Sequence, residues 1–288
     1  MQPEATVLGK RVDYPQHYAP EMLVQVPRRL NRSIYDIDDA HLPFVGADAW
    51  HAYELSFLYP NGLPFSGLLK LVYPADSEFL VESKSLKLYL NSFNMDKYQS
   101  KDEVERIVAA DLSKLVGAQV GVHIFADDDK NTYATGCDID KYILLETLPE
   151  MRNLHIDKYT EAPELLETAG ESGEMMVKTN LLRSNCKITH QPDWGTCYIR
   201  MKGAQLPTRT SLMSYLVSIR GENHFHEEIC EMIYVRLQRL FAPEELFVGC
   251  IYTRRGGIDI CPMRASSPTL LPAQLLNEKE LTAKLLRQ

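Results

Sequence analysis

The sequence has no long apolar run. No stretch of about 18 or more uncharged apolar residues occurs among its 288, so no membrane-spanning helix is expected. The opening Met1-Gln2-Pro3-Glu4-Ala5 is without the basic-then-apolar form of a secretory signal, and the expectation is a soluble, cytoplasmic protein. There is no basic excess either. A net charge of -8 argues against gripping nucleic acid by its phosphates, although a local basic site for a phosphorylated small molecule stays open. The six cysteines, Cys137, Cys186, Cys197, Cys230, Cys250 and Cys261, form no C-x-x-C pair. Their spacing suggests neither a disulfide framework nor a zinc knuckle. Neither G-x-G-x-x-G nor G-x-x-x-x-G-K-[S/T] occurs, so any dinucleotide must be bound by other means than a Rossmann turn or a P-loop. With 45% hydrophobic residues, the chain can still bury one large core or two of ordinary size.

What the sequence does contain is a diverged repeat. Ser85-Leu86-Lys87-Leu88-Tyr89-Leu90-Asn91-Ser92-Phe93 and Ser211-Leu212-Met213-Ser214-Tyr215-Leu216-Val217-Ser218-Ile219 share S-L-x-x-Y-L-x-S and a following apolar residue. Their apolar positions fall at i, i+3, i+4 and i+7, one face of a helix. A second helix follows each copy, with Val104, Ile107, Val108 and Leu112 matching Ile229, Met232, Ile233 and Leu237. Asp102-Glu103 and Glu227-Glu228 suit the starts of these helices. Strands are expected near 50–59, 66–74, 119–126 and 141–147, and near 182–190, 196–203, 246–253 and 257–262. Each half then reads strand-strand-helix-helix-strand-strand, an α+β pattern with antiparallel sheets. The halves are set at 1–160 and 177–288, with an acidic, glycine-containing linker at 161–176. A loose alignment sets Glu54 against Cys186, Pro60 against Pro192 and Asn61 against Asp193. Glu82 and Lys84 then stand against Thr208 and Thr210. The first half lacks the thiol and the acid, so a site shared by unlike halves stands beside simple duplication and divergence.

Cys186 is the leading nucleophile candidate, seven residues before Asp193 in Asn185-Cys186-Lys187-Ile188-Thr189-His190-Gln191-Pro192-Asp193-Trp194-Gly195. A lone buried cysteine is usually a small hydrophobe, but this one has polar neighbours. Lys187 or His190 would favour its thiolate, strand alternation permitting. Asp193 is either a turn residue or a proton donor, and the second role requires a raised pKa, which burial near Trp194 would supply. His224-Phe225-His226-Glu227 admits a metal reading, but no further ligands accompany it, and recognition of a polar heterocycle by His226 and Glu227 fits better. At Glu82-Ser83-Lys84-Ser85, Ser85 reads as a helix cap, or helix N–H groups with Ser83 and Lys84 hold a phosphate. Tyr252-Thr253-Arg254-Arg255-Gly256-Gly257 is either a hairpin turn or a second anion site. These residues alone imply a thiol enzyme acting on a polar small molecule, phosphorylated or not.

Taken together, these motifs resemble the QueF family of NADPH-dependent 7-cyano-7-deazaguanine reductases. The resemblance lies in Glu82 to Asn94, the Cys186 segment, Phe225-His226-Glu227 and Tyr252 to Gly257. Leu8-Gly9-Lys10 and Val26-Pro27-Arg28 are similar to the family's N-terminal region. It implies the two-module form, with tandem tunnelling-fold units, a homodimer, and no metal. It also implies reduction of 7-cyano-7-deazaguanine to 7-aminomethyl-7-deazaguanine with two NADPH, a step in queuosine biosynthesis for tRNA modification. Cys186 would form a covalent thioimide with the nitrile carbon, and Asp193 would protonate the nitrile nitrogen. A first hydride would give a thiohemiaminal, and its collapse an enclosed imine for the second. The base would be recognised by Glu82, Glu227 and His226 with the backbone around Val81 and Ser83. NADPH would meet Ser83, Lys84, Arg255 and Gly256. One extra residue in Gln205 to Ser211 lengthens a loop relative to the family pattern. The competing readings are a thiol nitrile hydrolase, a metal-dependent enzyme of the same fold, and a non-catalytic module binding a purine-like base.

Overall fold

The computed structural model describes residues 15–126 and 141–281, so Leu8, Gly9, Lys10 and Cys137 lie outside the described residues. The first half contains β1 (Gln25–Pro27), α1 (Arg29–Arg32), β2 (Val45–Leu58), β3 (Pro64–Pro74), β4 (Phe79–Val81), α2 (Ser83–Asn91), α3 (Lys101–Val116) and β5 (Gly121–Phe125). After the short β6 (Ile143–Leu144) come β7 (Gly173–Asn185), β8 (Pro192–Gly203), α4 (Arg209–Ser218), α5 (His226–Phe241), β9 (Glu245–Tyr252), β10 (Ile258–Ala265) and α6 (Ala273–Leu276). The class is α+β, as the grouped strands imply. One eight-stranded sheet runs through both halves in the order β5-β3-β2-β10-β9-β8-β7-β6.

The helices form where the periodicity places them. Leu86, Tyr89, Leu90 and Phe93 are buried against Val104, Val108 and Leu112 in one core. Leu212, Tyr215, Leu216 and Ile219 meet Ile229, Met232, Ile233 and Leu237 in the other. Ser100 caps α3 through the Glu103 N–H, and Gly117 ends it at φ +72°. The expected strand at 141–147 shrinks to two residues, and it pairs in parallel with Val177 and Lys178 of the second half. The expected strand at 182–190 stops at Asn185, because the Cys186 N–H turns back onto the Gln191 carbonyl, 2.8 Å away.

Strand register corrects the alignment of the halves. β2 and β7 slip register against their hairpin partners at matching points, between Ala52 and Leu55 and between Thr179 and Leu182. The hairpins then end on Leu58↔Pro64 and Asn185↔Pro192. Pro64 therefore matches Pro192, Phe65 matches Asp193 and Tyr59 matches Cys186. Glu54, Pro60 and Asn61 are not the counterparts, because the turn between the hairpin strands is shorter in the first half.

The segment read as a linker is also part of the repeat. Ala162 and the turn Pro163–Leu165 lie on α4 as Ala19 and Pro20–Met22 lie on α2. Ala19 N–H donates to Ser92 Oγ at 3.2 Å, and Ala162 N–H to Ser218 Oγ at 3.2 Å. Both alanines share one backbone conformation, φ/ψ -139/74° and -136/76°. β7 begins at Gly173, within the 161–176 stretch.

The halves meet along β2 and β10, antiparallel from Val45↔Ala265 to Ala52↔Ile258. Buried beside this seam is an ionic network that no periodicity announces. Asp48 pairs with Arg28 and with Arg264 (2.8 Å), while Glu231 pairs with Arg264 (2.9 Å) and Arg32 (2.8 Å). Removing one partner from such a network strands a buried charge and typically costs about 3–5 kcal/mol.

Candidate active site

Three element ends converge on a cleft of about 250 Å³: the start of α2, the β7–β8 turn and the β9–β10 turn. Glu82, Ser83, Lys84, Lys87, Cys186, Thr189, Arg255 and Gly256 line it. It narrows to about 20 Å³ at a deep end walled by Trp50, Val81, Phe225 and Ile260, where Asp193, His226 and Glu227 are exposed to it. Cys186, Ser83, His226 and Arg255 border both parts. All ten residues singled out from the sequence therefore face one cleft, which draws on both halves.

Cys186 is partly exposed, whereas Cys197, Cys230, Cys250 and Cys261 are buried. Burial works against its thiolate. The neighbouring donors of Thr189, Arg255 and Ile188 outweigh that, and the thiol sits below its ordinary pKa. The residues expected to favour the thiolate are engaged elsewhere. Lys187 is paired with Glu228 at 2.9 Å, and His190 Nδ1 faces Asn223 Oδ1 at 2.9 Å.

Asp193 is only 4% exposed and is held between two groups. Its Oδ2 is 3.2 Å from His226 Nε2, and its Oδ1 forms an ion pair with Arg255. That pair lacks the angle of a hydrogen bond, since the Arg255 Nη1 makes none. The His226 ring stacks on Tyr252 at 3.7 Å and 7°. Burial lowers the His226 pKa, and the Arg255 charge adds to this, despite the opposing effect of Asp193. The lowered pKa favours the neutral imidazole, which faces the Asp193 carboxyl.

The two glutamates expected to recognise a base differ sharply. Glu227 is 3% exposed and its Oε1 has no hydrogen-bond partner. Burial first, and the neighbouring Asp48 charge second, push its pKa up to about 8. A buried carboxylate with an unfilled oxygen is poised for a ligand carrying adjacent N–H groups. Glu82 is instead the N-cap of α2, accepting from the N–H groups of Lys84 (3.0 Å) and Ser85 (2.7 Å). Ser85 is therefore not the cap; its hydroxyl donates to the Glu82 carbonyl at 2.7 Å. Two of the helix N–H groups expected to meet a phosphate, those of Lys84 and Ser85, are taken by Glu82, which leaves the cationic side chains as the main anion-binding groups.

Those side chains are Lys84, Lys87 and Arg255. Lys87 Nζ bridges Glu54 (2.9 Å) and the Gly256 carbonyl (2.8 Å). Gly256 and Gly257 take φ +57° and +78° in the β9–β10 turn, which Arg255 and Ile258 close with reciprocal backbone hydrogen bonds. A Cβ at Gly257 would lie 2.5 Å from the Glu54 carboxyl carbon. The turn is thus both a hairpin turn and the mount for Arg255. Cations with exposed backbone suit the phosphates of a dinucleotide.

Reasoning from the sequence missed Thr189, Lys87 and Trp50, and it missed that Arg255 reaches Asp193. No one-dimensional signal marks them, since each acts across the cleft from another element. Among the described residues, His51, Asp259 and Cys261 are the group spaced to hold a metal ion. They are buried, with His51 Nδ1 and the Tyr53 hydroxyl on the Asp259 carboxylate at 2.6 and 2.7 Å.

Two family models match the chain: "Nitrile reductase, 7-cyano-7-deazaguanine-reductase N-term" over residues 14–124, and "QueF-like protein" over 192–269. A protein of Dechloromonas aromatica is 41% identical over 269 residues, covering 93% of each chain. One from Chromohalobacter salexigens is 40% identical over 272 residues, covering 94% of this chain and 95% of its own. One from Colwellia psychrerythraea is 40% identical over 264 residues, covering 90% and 91%. All three bear the name NADPH-dependent 7-cyano-7-deazaguanine reductase. With relatives this similar along nearly their whole length, and a thiol, an acid and an open carboxylate in one cleft, the chain belongs to the QueF family.

Proposed function

We propose that this chain is an NADPH-dependent nitrile reductase, converting 7-cyano-7-deazaguanine to 7-aminomethyl-7-deazaguanine in queuosine biosynthesis. The observation that carries the reading is the pairing, at one deep pocket, of a thiol held toward its thiolate with the unfilled carboxylate of Glu227. A deazaguanine offers the complementary edge, a ring N–H beside an exocyclic amine. Trp50, Phe225 and Ile260 give a flat ring its apolar walls.

The Cys186 sulfur attacks the nitrile carbon. One C≡N bond pair moves to nitrogen, which takes a proton from the Asp193–His226 pair, leaving a covalent thioimide. The C=N so formed accepts a hydride more readily than the nitrile. NADPH supplies a hydride at each of two reductions. Lys84, Lys87, Arg255 and the backbone at Gly256, with Ser83 beside them, would hold its phosphates. After the first reduction the carbon–sulfur bond breaks, and the contacts that favour the thiolate make Cys186 a good leaving group. The enclosing walls keep water from the imine until the second reduction.

We infer two further points from the repeat and the family. The halves are tandem tunnelling-fold units, supported by the matched bulges, caps and Ala-Pro-Glu segments. The working form is a homodimer in the cytoplasm. No described helix is long and apolar enough to cross a membrane.

The test is to mix protein, NADPH and 7-cyano-7-deazaguanine and follow cofactor absorbance with product mass. Two NADPH consumed per aminomethyl product is the expected result. Formation of acid or amide without NADPH use would favour a hydrolase, and bound base without turnover would favour a binding module.

A further inference from the structure

The deep end of the cleft is read from one side by Glu227, whose ionised carboxylate can only accept hydrogen bonds. A deazaguanine also carries acceptors beside the edge that faces Glu227: the C6 carbonyl on one flank and the ring nitrogen N3 on the other. An acceptor carried into a dry pocket without meeting a donor gives up its water for nothing. Trp50 holds such a donor. Its side chain is 1% exposed and borders the deep end, and its indole N–H has no hydrogen-bond partner among the described residues.

The surroundings of Trp50 explain why the protein leaves this N–H open. Its cross-strand neighbours are Leu71 of β3 and Ile260 of β10, whose side chains offer no acceptor. Asp48, two residues back on the same face of β2, has one carboxylate oxygen on Arg28 and the other on Arg264. Packing does not call for an indole here. The matching position in the second half, two residues before the register slip, is Val177, which fills its core with no polar atom. The same frame thus accepts an aliphatic side chain, and the half that borders the pocket has a tryptophan instead. Native interiors leave few buried donors unmade, and a ligand can complete one that borders its pocket.

We propose that Trp50 is a specificity-determining residue: its indole Nε1–H donates to the acceptor that flanks the base edge facing Glu227. This rests on the reading of the deep end as the seat of a deazaguanine. Glu227 alone selects for adjacent N–H groups. Glu227 with Trp50 selects for N–H groups that have an acceptor next to them, and a base without that acceptor leaves the indole N–H unmade.

The test is calorimetric binding of 7-cyano-7-deazaguanine, without cofactor, in a Cys186→Ala background that prevents covalent capture. Trp50→Phe keeps an aromatic wall and removes the donor, and it is expected to weaken binding about tenfold. Two analogues separate the hydrogen bond from packing, one with sulfur in place of the C6 oxygen and one with CH in place of N3. For one of them, proteins with and without Trp50→Phe should bind within about twofold of each other, which also names the acceptor. Equal affinity of the two proteins for the parent base overturns the proposal. So does a Trp50→Phe penalty that is undiminished with both analogues, the mark of lost packing alone. Should Trp50→Phe fail to fold, the indole N–H resonance decides. The chain has two tryptophans, so Trp194→Phe assigns the Trp50 signal. That signal should lie further downfield with the parent base than with one of the analogues, and the same position with all three overturns the proposal. Base binding does not require hydride transfer. The expected binding pattern without NADPH turnover would count against the reductase and leave the role of Trp50 standing, whereas failure of the base to bind overturns both.

Discussion

The two halves share strands, helices, bulges and the strap that lies on the first helix, yet they bring opposite things to the site. The second half places Cys186 and Asp193 where the first has Tyr59 and Phe65, which meet edge to face, with Phe57 stacked on Phe65 and edge-on to Tyr59. The first half starts its leading helix with Glu82, Ser83 and Lys84. The second starts the matching helix with Thr208, Arg209 and Thr210, and Thr208 caps it by accepting from the Ser211 N–H. The equivalent frame thus carries a cleft-lining thiol and acid in one copy and aromatic packing in the other. What differs is confined to the element ends, where a side chain can change without disturbing a core.

The largest expected effect tests whether the thiol position is unique. Cys186→Ala should abolish covalent adduct formation with 7-cyano-7-deazaguanine, read by intact mass. Tyr59→Ala, at the matching point, should lower the melting temperature but leave the adduct. An adduct of unchanged yield on Cys186→Ala would place the nucleophile elsewhere.

Next comes the carboxylate at the start of α5. Glu227→Gln should weaken base binding by about 30- to 100-fold, on the order of 2–3 kcal/mol for a charged hydrogen bond. It should also remove a pH dependence. In the folded protein Glu227 keeps its proton up to about 8, whereas an unfolded glutamate releases it near about 4.3. Between those values the folded state binds the extra proton, so wild-type stability falls as pH rises through this window. The variant should melt a few degrees higher than wild type near pH 8 and equally near pH 4. Base affinity should rise with pH to about 8 in the wild type and stay flat in Glu227→Gln. Titration calorimetry across that range checks both, and a flat wild-type profile would mean that Glu227 binds without releasing a proton.

The smallest effect concerns the cations. Lys84→Ala should raise the KM for NADPH about tenfold and spare the adduct, because a phosphate loses one charge partner. Arg209→Ala, at the start of the matching helix, should leave KM within about twofold. Equal effects of the two would dissolve the asymmetry of the halves.

How much of this was legible in the sequence depended on the range of the interaction. Leu86, Tyr89 and Leu90 announce their helix because the contacts that bury them repeat every turn. The matched partners of Cys186 and Asp193 were not legible, because hairpin register is set by turns of unequal length. Arg28, Asp48, Glu231 and Arg264 look like surface charges in the sequence. They are buried only because four separate segments deliver them to one seam. The caps divided along the same line. Thr208 behaves as its residue type suggests, while Glu82 takes the place expected for Ser85 because its carboxylate spans two backbone donors.

The antiparallel join of β2 and β10 has a consequence for how such an enzyme can change. If the halves were separate, identical chains, each sequence would have to serve as both donor of the thiol and donor of the helix start. Joined in one polypeptide and fixed in a single order, they are released from that double duty. Tyr59 and Phe65 can replace a thiol and an acid in one copy, and Thr208 can replace a glutamate in the other. Each centre still receives a full complement of parts, always in one-to-one ratio.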